Sequence, residues 1–403
     1  MNVLSVSDAL ALVLADAGPL PAAPANLLDA HGCVLAADVV ARRTQPPGSV
    51  SAMDGYAVNG ADVERAPARL KVIGEVAAGR PFERVLARGE AARIFTGGVL
   101  PAGADTVAIQ EVTAREGDMV TVSVATPRGR NVRLEGLDFR AGDVLLAKGR
   151  QLTSRDLALA AAMNHPTLNV HRRPRVAVLA TGDELVPPGT APGPSQIVHS
   201  NGYALLTLAR AEGAEIIDLG IVADRLDDTV AAVRRARAAG ADVLVTTGGV
   251  SVGDYDLVRP AFAAEGMAMS FWRVAMRPGR PLMHGRLEAM HVLGLPGNPV
   301  SAFVCGLLFL VPLLRTLIGR GDVDLALESA TLGRDLPAND ERTDYLRAGL
   351  SRGADGALVA TPFEVQDSSM VGLLAKADCM VVRGPYAPSA KAGSTCAIVK
   401  LGL

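Results

Sequence analysis

Aromatic residues are almost missing from this chain: Phe, Tyr and Trp make up 3% of its 403 residues, with a single tryptophan. Single-stranded nucleic acid is normally held by stacking bases on rings, so that class is set aside. No basic face compensates. Lys plus Arg number 40 against 42 Asp plus Glu, a formal net charge of −2, whereas nucleic-acid binders carry a positive patch. Any anion bound here is expected to be small and held locally. Cysteine is scarce as well: Cys33, Cys305, Cys379 and Cys396 form no CxxC pair. Neither a zinc site nor a disulfide framework follows, and buried apolar cysteine in a reducing compartment is the expectation. The six histidines include no HExxH. Apolar runs fall short of the ~20 residues that span a bilayer. The longest, Val300 to Leu314, contains Pro312 and is followed by Arg315, so it reads as a helix buried against a sheet. The opening MNVLSVSDALALVLADAGPL lacks a basic region and places Asp8 and Asp16 in its apolar stretch, unlike a secretion signal. A soluble, cytoplasmic protein without membrane or nucleic-acid partners is expected.

What is present divides into regions of different texture, and this length calls for two to four domains. Residues 1–42 begin with a helix that Ser5 and Asp8 would open as a capping box. Thr44-Gln-Pro-Pro-Gly-Ser is a connector, because two prolines and a glycine cannot continue a helix. Residues 43–137 are strand-like, with RLKVIGEV, ARIFTGG, DTVAIQEV and MVTVSV rich in Val, Ile and Thr. Helical pattern returns at a second capping box, Thr153 and Asp156, so residues 138–171 could rejoin residues 1–42 around an inserted domain. Residues 172–319 alternate strand and helix: RVAVLA, a helix from Gly202 to Glu212, EIIDLGIV, a helix from Asp227 to Ala239, ADVLVTT and HVLGL. Acid at the second helix's start, arginine at its end and Gly240 beyond follow the helix-dipole and capping rules. Such alternation implies a parallel sheet covered on both faces. Residues 320–403 return to short strands and read as a small β barrel or sandwich.

In an open α/β sheet, ligands sit beyond the carboxyl ends of the strands. RVAVLA is followed by Thr181-Gly182-Asp183-Glu184-Leu185, which alone is an ordinary acidic turn. ADVLVTT is followed by Gly248-Gly249-Val250-Ser251-Val252-Gly253-Asp254-Tyr255-Asp256, whose glycines permit amide groups to face an anion. HVLGL runs into Leu295-Pro296-Gly297-Asn298-Pro299-Val300-Ser301. There Asn298 suits an N-cap and Pro299 the first helical position, and the helix N-terminus would point its N–H groups at the site. Just upstream, Arg273, Arg277 and Arg280 frame a Pro-Gly turn, with planar forks suited to oxyanions. Glu184, Asp254 and Asp256 at a phosphate site would repel the ligand, since unit charges 4 Å apart interact by about 4 kcal/mol at an effective dielectric of 20. A bridging cation such as Mg²⁺, or a carboxylate acting as base, resolves that conflict. The pattern is that of an enzyme.

Taken together, SAMDGYAV (Ser51 to Val58), IFTGGVLPAGADTVAIQE (Ile94 to Glu111), TGDEL, GGVSVGDYD and LPGNPVSA resemble the molybdopterin molybdenumtransferases, in order and over essentially the full chain. The family's animal homologue, gephyrin, fuses the same unit to a second domain. The resemblance implies a dimer of L-shaped, four-domain subunits: a dimerisation or linker domain (1–42 and 138–171), a strand-rich inserted domain (43–137), a molybdopterin-binding α/β domain (172–319) and a C-terminal β barrel (320–403). The active cleft would lie between the α/β domain and the strand-rich domain of the partner subunit. The implied reaction joins molybdate to adenylylated molybdopterin, giving molybdenum cofactor and AMP with Mg²⁺ present. Contacts with the molybdopterin adenylyltransferase and with cofactor-accepting enzymes are implied partners.

Carried onto this sequence, the resemblance gives Asp54, Thr96, Asp138, Glu184, Asp224 and Asp256 as catalytic residues, with Glu184 and Asp256 on Mg²⁺ and Asp54 and Asp224 in pyrophosphate cleavage. Gly248, Gly249, Ser251, Asp254, Pro296, Gly297, Asn298 and Pro299 would bind substrate. Arg277, Arg280 and Ser301 would grip molybdate, helped by Arg347 and Ser368 at positions resembling the family's Arg and Gln-x-Ser. The family's basic turn usually carries lysine where this chain has Arg273, Arg277 and Arg280, and Leu137 replaces an acid before Asp138. An adenylyltransferase acting one step earlier would need only the α/β domain, and a pure scaffold would have no use for carboxylates in an anion cleft.

Overall fold

The computed structural model describes residues 3–77, 79–80, 82–249, 257–354 and 356–402. Helix α1 (Val6–Leu14) starts at Ser5, whose hydroxyl accepts from the Asp8 amide at 3.1 Å and donates to its carboxylate at 2.7 Å. Its apolar stripe is not buried among the residues that follow it. Ala9 and Val13 enter the core of the α/β domain, and Leu4 exchanges backbone bonds with Arg273 and Ala275. Helix α1 thus packs apart from the rest of residues 1–42, because the larger apolar core captures the stripe.

The remaining N-terminal residues form a small domain closed by distant partners. Strand β1 (Ala22–Asn26) is followed by the inserted domain, a six-stranded sheet of β2 (Gly55–Val58), β3 (Ala68–Val76), β4 (Glu90–Ile94), β5 (Thr106–Ile109), β6 (Thr113–Glu116) and β7 (Met119–Val122) in the order β5-β2-β4-β3-β7-β6. Beyond it, α2 (Ser154–Ala162) opens with the expected box, Thr153 and Asp156 bonded reciprocally. Strand β8 (Thr167–His171) then returns to pair antiparallel with β1. Leu35, Phe139, Leu152 and Met163 fill the core between the two segments.

The α/β domain runs β9 (Arg175–Thr181), α3 (Asn201–Ala211), β10 (Glu215–Val222), α4 (Leu226–Ala238), β11 (Val243–Thr247), α5 (Val258–Ala264), β12 (Ala268–Trp272), β13 (Met283–Leu287), β14 (Met290–Leu295) and α6 (Pro299–Leu317). Its sheet has the order β10-β9-β11-β14-β13-β12. The first four strands are parallel, as the alternation implied, and β13 adds antiparallel to β14 and to β12. Met283–Leu287 carries His284, Gly285 and Arg286 in place of β-branched residues, so it did not read as a strand.

Helix α6 reaches Leu317, past the end of the apolar run read from the sequence. By length and composition it could cross a membrane, yet 83% of its apolar window is buried inside the protein, which makes it a core helix. Pro312 lacks the amide an α-turn would use, and just before it the helix widens to a π turn at Gly306–Leu310. The C-terminal region is a closed barrel of β15 (Glu328–Leu332), β16 (Thr343–Arg352), β17 (Leu358–Pro362), β18 (Cys379–Arg383) and β19 (Thr395–Lys400), with α7 (Val371–Ala375) before β18. Tyr345, Met380 and Val399 pass from the barrel into the α/β core.

Two histidines on the β13–β14 hairpin are each 2% exposed, their rings stacked with centroids 5.8 Å apart. Burial pushes His284 down to about 4 and His291 down to about 3, with the Arg286 charge adding to both, while Asp16 opposes at His284 and Asp242 at His291. The unfolded chain therefore takes up these protons first, starting near pH 6.5. The stabilisation is whole above that pH and falls as the medium is acidified toward pH 4, by up to about 1.4 kcal/mol per pH unit per histidine. The urea midpoint should drop between pH 7 and pH 5, and a His284→Gln, His291→Gln double variant should flatten that slope. An equal slope in the variant would rule out the pair as its source.

Candidate active site

The parallel strands end together at one edge. Thr181 closes β9 there, its hydroxyl buried without a hydrogen-bond partner. Gly248 (φ 88°) and Gly249 (φ 64°) lie against it. A Cβ on Gly248 would stand 2.7 Å from the Thr181 carbonyl oxygen, and one on Gly249 would collide with Val258. Glycine is thus required by left-handed backbone and by contact at both positions. A Cβ on Gly297 would stand 3.7 Å from the Gly248 Cα, so the second and third loops meet. Ser251, Asp254 and Asp256 lie outside the described residues.

Three carboxyl groups crowd the neighbouring loops. Asp183 accepts from the Asp224 amide at 3.1 Å. Burial raises the Asp224 pKa, and the charges of Asp183 and Glu184 add to that, against a hydrogen bond donated to its carboxyl by the Asp183 backbone amide. Glu184 is exposed and folds back over Gly182, where a Cβ would stand 2.6 Å from its Oε2. Asp183 had no role in the sequence reading, although it stands inside TGDEL. Among the described residues no three His, Cys, Asp or Glu side chains converge as a metal site.

The third loop differs from expectation in its capping. Asn298 occupies the N-cap position with extended backbone, but its side chain makes no cap bond. Instead Nδ2 donates to Ser368 Oγ at 2.8 Å, and the Val300 amide donates to the Ser368 carbonyl at 3.0 Å. Part of the helix N-terminus is therefore satisfied by the barrel. Pro296 and Pro299 bracket the turn, and Ser301 is buried in the first turn of α6. Asn201, opening α3, donates to the Gly297 carbonyl at 2.7 Å. Sequence reading missed it, since a polar residue at a helix start has a ready local explanation.

The basic turn is divided in use. Arg277 pairs bidentately with the buried Asp344, at 2.9 and 2.5 Å, and donates to Asn339 at 3.2 Å. Met276–Arg277 also forms a short parallel ladder with Thr343–Asp344 of β16. Its fork, expected to grip molybdate, ties the α/β domain to the barrel in this structure. Arg280 is exposed, and Gly279 sits where a Cβ would be 2.5 Å from Cys305 Sγ. Arg273 has φ 121° and stacks on Trp272, as does Arg259. Arg347 is buried in the barrel, with Gln366 bonded to its backbone and guanidinium.

On the inserted domain, Asp54 accepts from the Thr96 amide at 2.7 Å and from its hydroxyl at 2.9 Å. These bonds hold the Asp54 carboxyl below its ordinary value, the backbone bond most, with Arg93 contributing least. Asp138 is exposed at the base of the domain, where its amide donates to the Gln45 carbonyl. The structure thus joins Asp54 to Thr96, and Glu184 to Asp224. Among the described residues, no hydrogen bond or ion pair links residues 43–137 to the α/β domain.

The fold and these loops define a modular protein built around a parallel-sheet α/β domain whose strand-end loops form a ligand-type cleft. Residues 4–164 match the MoeA N-terminal region (domain I and II), residues 177–316 the family described as "Probable molybdopterin binding domain", and residues 329–401 the MoeA C-terminal region (domain IV). The sequence is 34% identical to the molybdopterin molybdenumtransferase of Haemophilus influenzae over 93% of this chain and 92% of that protein. It is 42% identical to that of a Nostoc species, over 73% and 69%. A solved structure of the molybdopterin biosynthesis MoeA protein from Pyrococcus horikoshii superposes with a TM-score of 0.85 at 30% identity, covering 100% of both chains. The chain belongs to the molybdopterin molybdenumtransferase family.

Three substitutions probe the geometry. Gly249→Ala adds a Cβ that meets Val258 at a positive φ, and should lower the thermal midpoint by the equivalent of about 1–3 kcal/mol. Gly321→Ala, with open space around it, should leave the midpoint in place. Asp344→Asn should free the Arg277 fork, so molybdate binding measured by calorimetry should strengthen if that fork is an oxyanion grip. Unchanged affinity would assign Arg277 to domain docking.

Proposed function

We propose that this enzyme inserts molybdate into adenylylated molybdopterin, releasing AMP and leaving the completed molybdenum cofactor. The observation that carries the reading is the Gly248-Gly249 loop packed on Thr181 and touching Gly297, with carboxylates gathered beside it. Backbone amides of such loops suit a phosphoanhydride. The neighbouring acids suit a hard dication: the Asp224 pKa is raised mainly by burial, and the charges of Asp183 and Glu184 add to it. Glu184 and Asp256 would hold Mg²⁺, which supplies charge neutralisation to the phosphates.

The protein's own groups do the rest. The bonds from Thr96 favour the ionised form of the Asp54 carboxyl, which suits it to orient a nucleophile against the pyrophosphate, with Asp224 and Asp138 as further catalytic acids. Arg280, Ser301, Arg347 and Ser368 would supply the oxyanion side, with the Asn298–Ser368 bond tying the barrel to the turn before Ser301. Asp54 and Thr96 make no bond to the α/β domain among the described residues, and a cleft completed by a second copy, as a homodimer, fits the arrangement. The free cysteines Cys33, Cys305, Cys379 and Cys396 accord with work in the cytoplasm, beside the molybdopterin adenylyltransferase and the enzymes that accept the cofactor.

The test is AMP release from adenylylated molybdopterin by purified protein with Mg²⁺, with and without molybdate. Release should depend on molybdate and yield active cofactor, and Asp54→Ala or Glu184→Ala should reduce it at least a hundredfold, on the order of one lost catalytic group. Release without metal insertion would make the protein a nucleotide hydrolase. Tight pterin binding without release would make it a carrier.

A further inference from the structure

Arg347 on β16 is 1% exposed and forms no ion pair among the described residues. A guanidinium has five N–H donors. Here Nε reaches Gln366 Oε1 at 3.4 Å, Nη1 reaches the Met370 carbonyl at 3.4 Å, and Nη2 is buried without a partner. Two long bonds do not offset the cost of taking this cation from water. Burial accordingly lowers the Arg347 pKa, with the Asp367 charge opposing. The side chain is built to receive a negatively charged acceptor at Nη2.

One neighbour fixes where that acceptor must go. Gln366 Oε1 accepts from the Arg347 amide at 3.0 Å as well as from Nε, and Gln366 Nε2 donates to the Arg347 carbonyl at 3.0 Å and the Phe363 carbonyl at 2.9 Å. A single amide thus clamps both the backbone and the head group of Arg347. Two residues on, Ser368 is bonded to Asn298 and Val300 at the start of α6. The segment from Gln366 to Ser368 is a mechanical link between the buried arginine and the Leu295–Ser301 turn.

We propose that Gln366 is a positioning residue for the incoming tetrahedral oxyanion, holding the Arg347 guanidinium in fixed relation to Ser368 and the α6 turn. This rests on the reading of the chain as a molybdate-using enzyme and names the group that sets its dianion site. The Gln366 clamp holds the buried guanidinium through the Arg347 backbone and Nε at once, which fixes the direction in which Nη2 is presented.

The experiment uses the full chain, with molybdate titrated by calorimetry and molybdate-dependent AMP release measured alongside. Gln366→Leu, close in size but without the amide, should raise the molybdate Kd and KM at least tenfold and change kcat at saturating molybdate less than threefold. Gln366→Asn, which keeps a shorter amide, should recover part of the loss. A merely structural glutamine would move the thermal midpoint and leave KM alone, and that result overturns the proposal. Should Gln366→Leu fail to fold, Gln366→Glu decides: its carboxylate would neutralise Arg347 and cost at least tenfold in molybdate affinity, and unchanged affinity overturns the idea. Arg347→Gln separates the two levels, because wild-type molybdate binding in that variant would remove the underlying oxyanion site itself.

Discussion

The burial of α6 is the constraint on which the other parts depend. Its side chains form one core with α1, with α3, with the sheet and with Tyr345, Met380 and Val399 of the barrel. Dispersion and apolar burial at close packing are felt to the last methylene, so this helix fixes the relative placement of elements from three regions of sequence. Its N-terminal turn carries Asn298 and Ser301, its flank receives Gly279 through Cys305, and its π turn brings Gly306 against Leu205 and Leu208. A core of this kind does more than stabilise. It sets the distance between the loops at the strand ends and the barrel segment that carries Ser368.

Charge around that frame is only partly paired. Carboxylates gather at Asp183, Glu184 and Asp224, while Arg277 is paired with Asp344 and Arg347 is buried without an ion pair among the described residues. Arg277 is a tie to Asp344, a use open to arginine because its planar head matches a carboxylate in two bonds at once. A lysine there would hold the same charge with less directional grip. Arginine at this position therefore stiffens the junction of two domains.

Much of this was legible in the residues. Val, Ile and Leu runs broken by glycine marked the parallel strands, and the Thr153–Asp156 capping box formed as read, while Ser5 caps α1 through its hydroxyl without the reciprocal backbone bond to Asp8. What escaped was long-range. Gly55–Val58 is a central strand buried on every residue, but its short, alternation-free sequence carries no period. The link from Asn201 to Gly297, the Gln366 clamp and the capture of the Arg277 fork by Asp344 depend on side chains brought together from far apart. The destination of α1 was hidden for the same reason: an amphipathic stripe states that it will be buried, not against what.

The pairing of β1 with β8 also has a consequence in time. Ala22 meets His171, so on the ribosome the first strand is made long before its partner, at about 5–20 residues per second roughly 7–30 s earlier. Through that interval β1 is a bare strand, free to pair with any other nascent chain. Its sequence, Ala-Ala-Pro-Ala-Asn, is poorly suited to such pairing: small side chains offer little to bury, and Pro24 has no amide to donate. The same plainness that makes β1 inconspicuous in the finished protein keeps it safe while it waits.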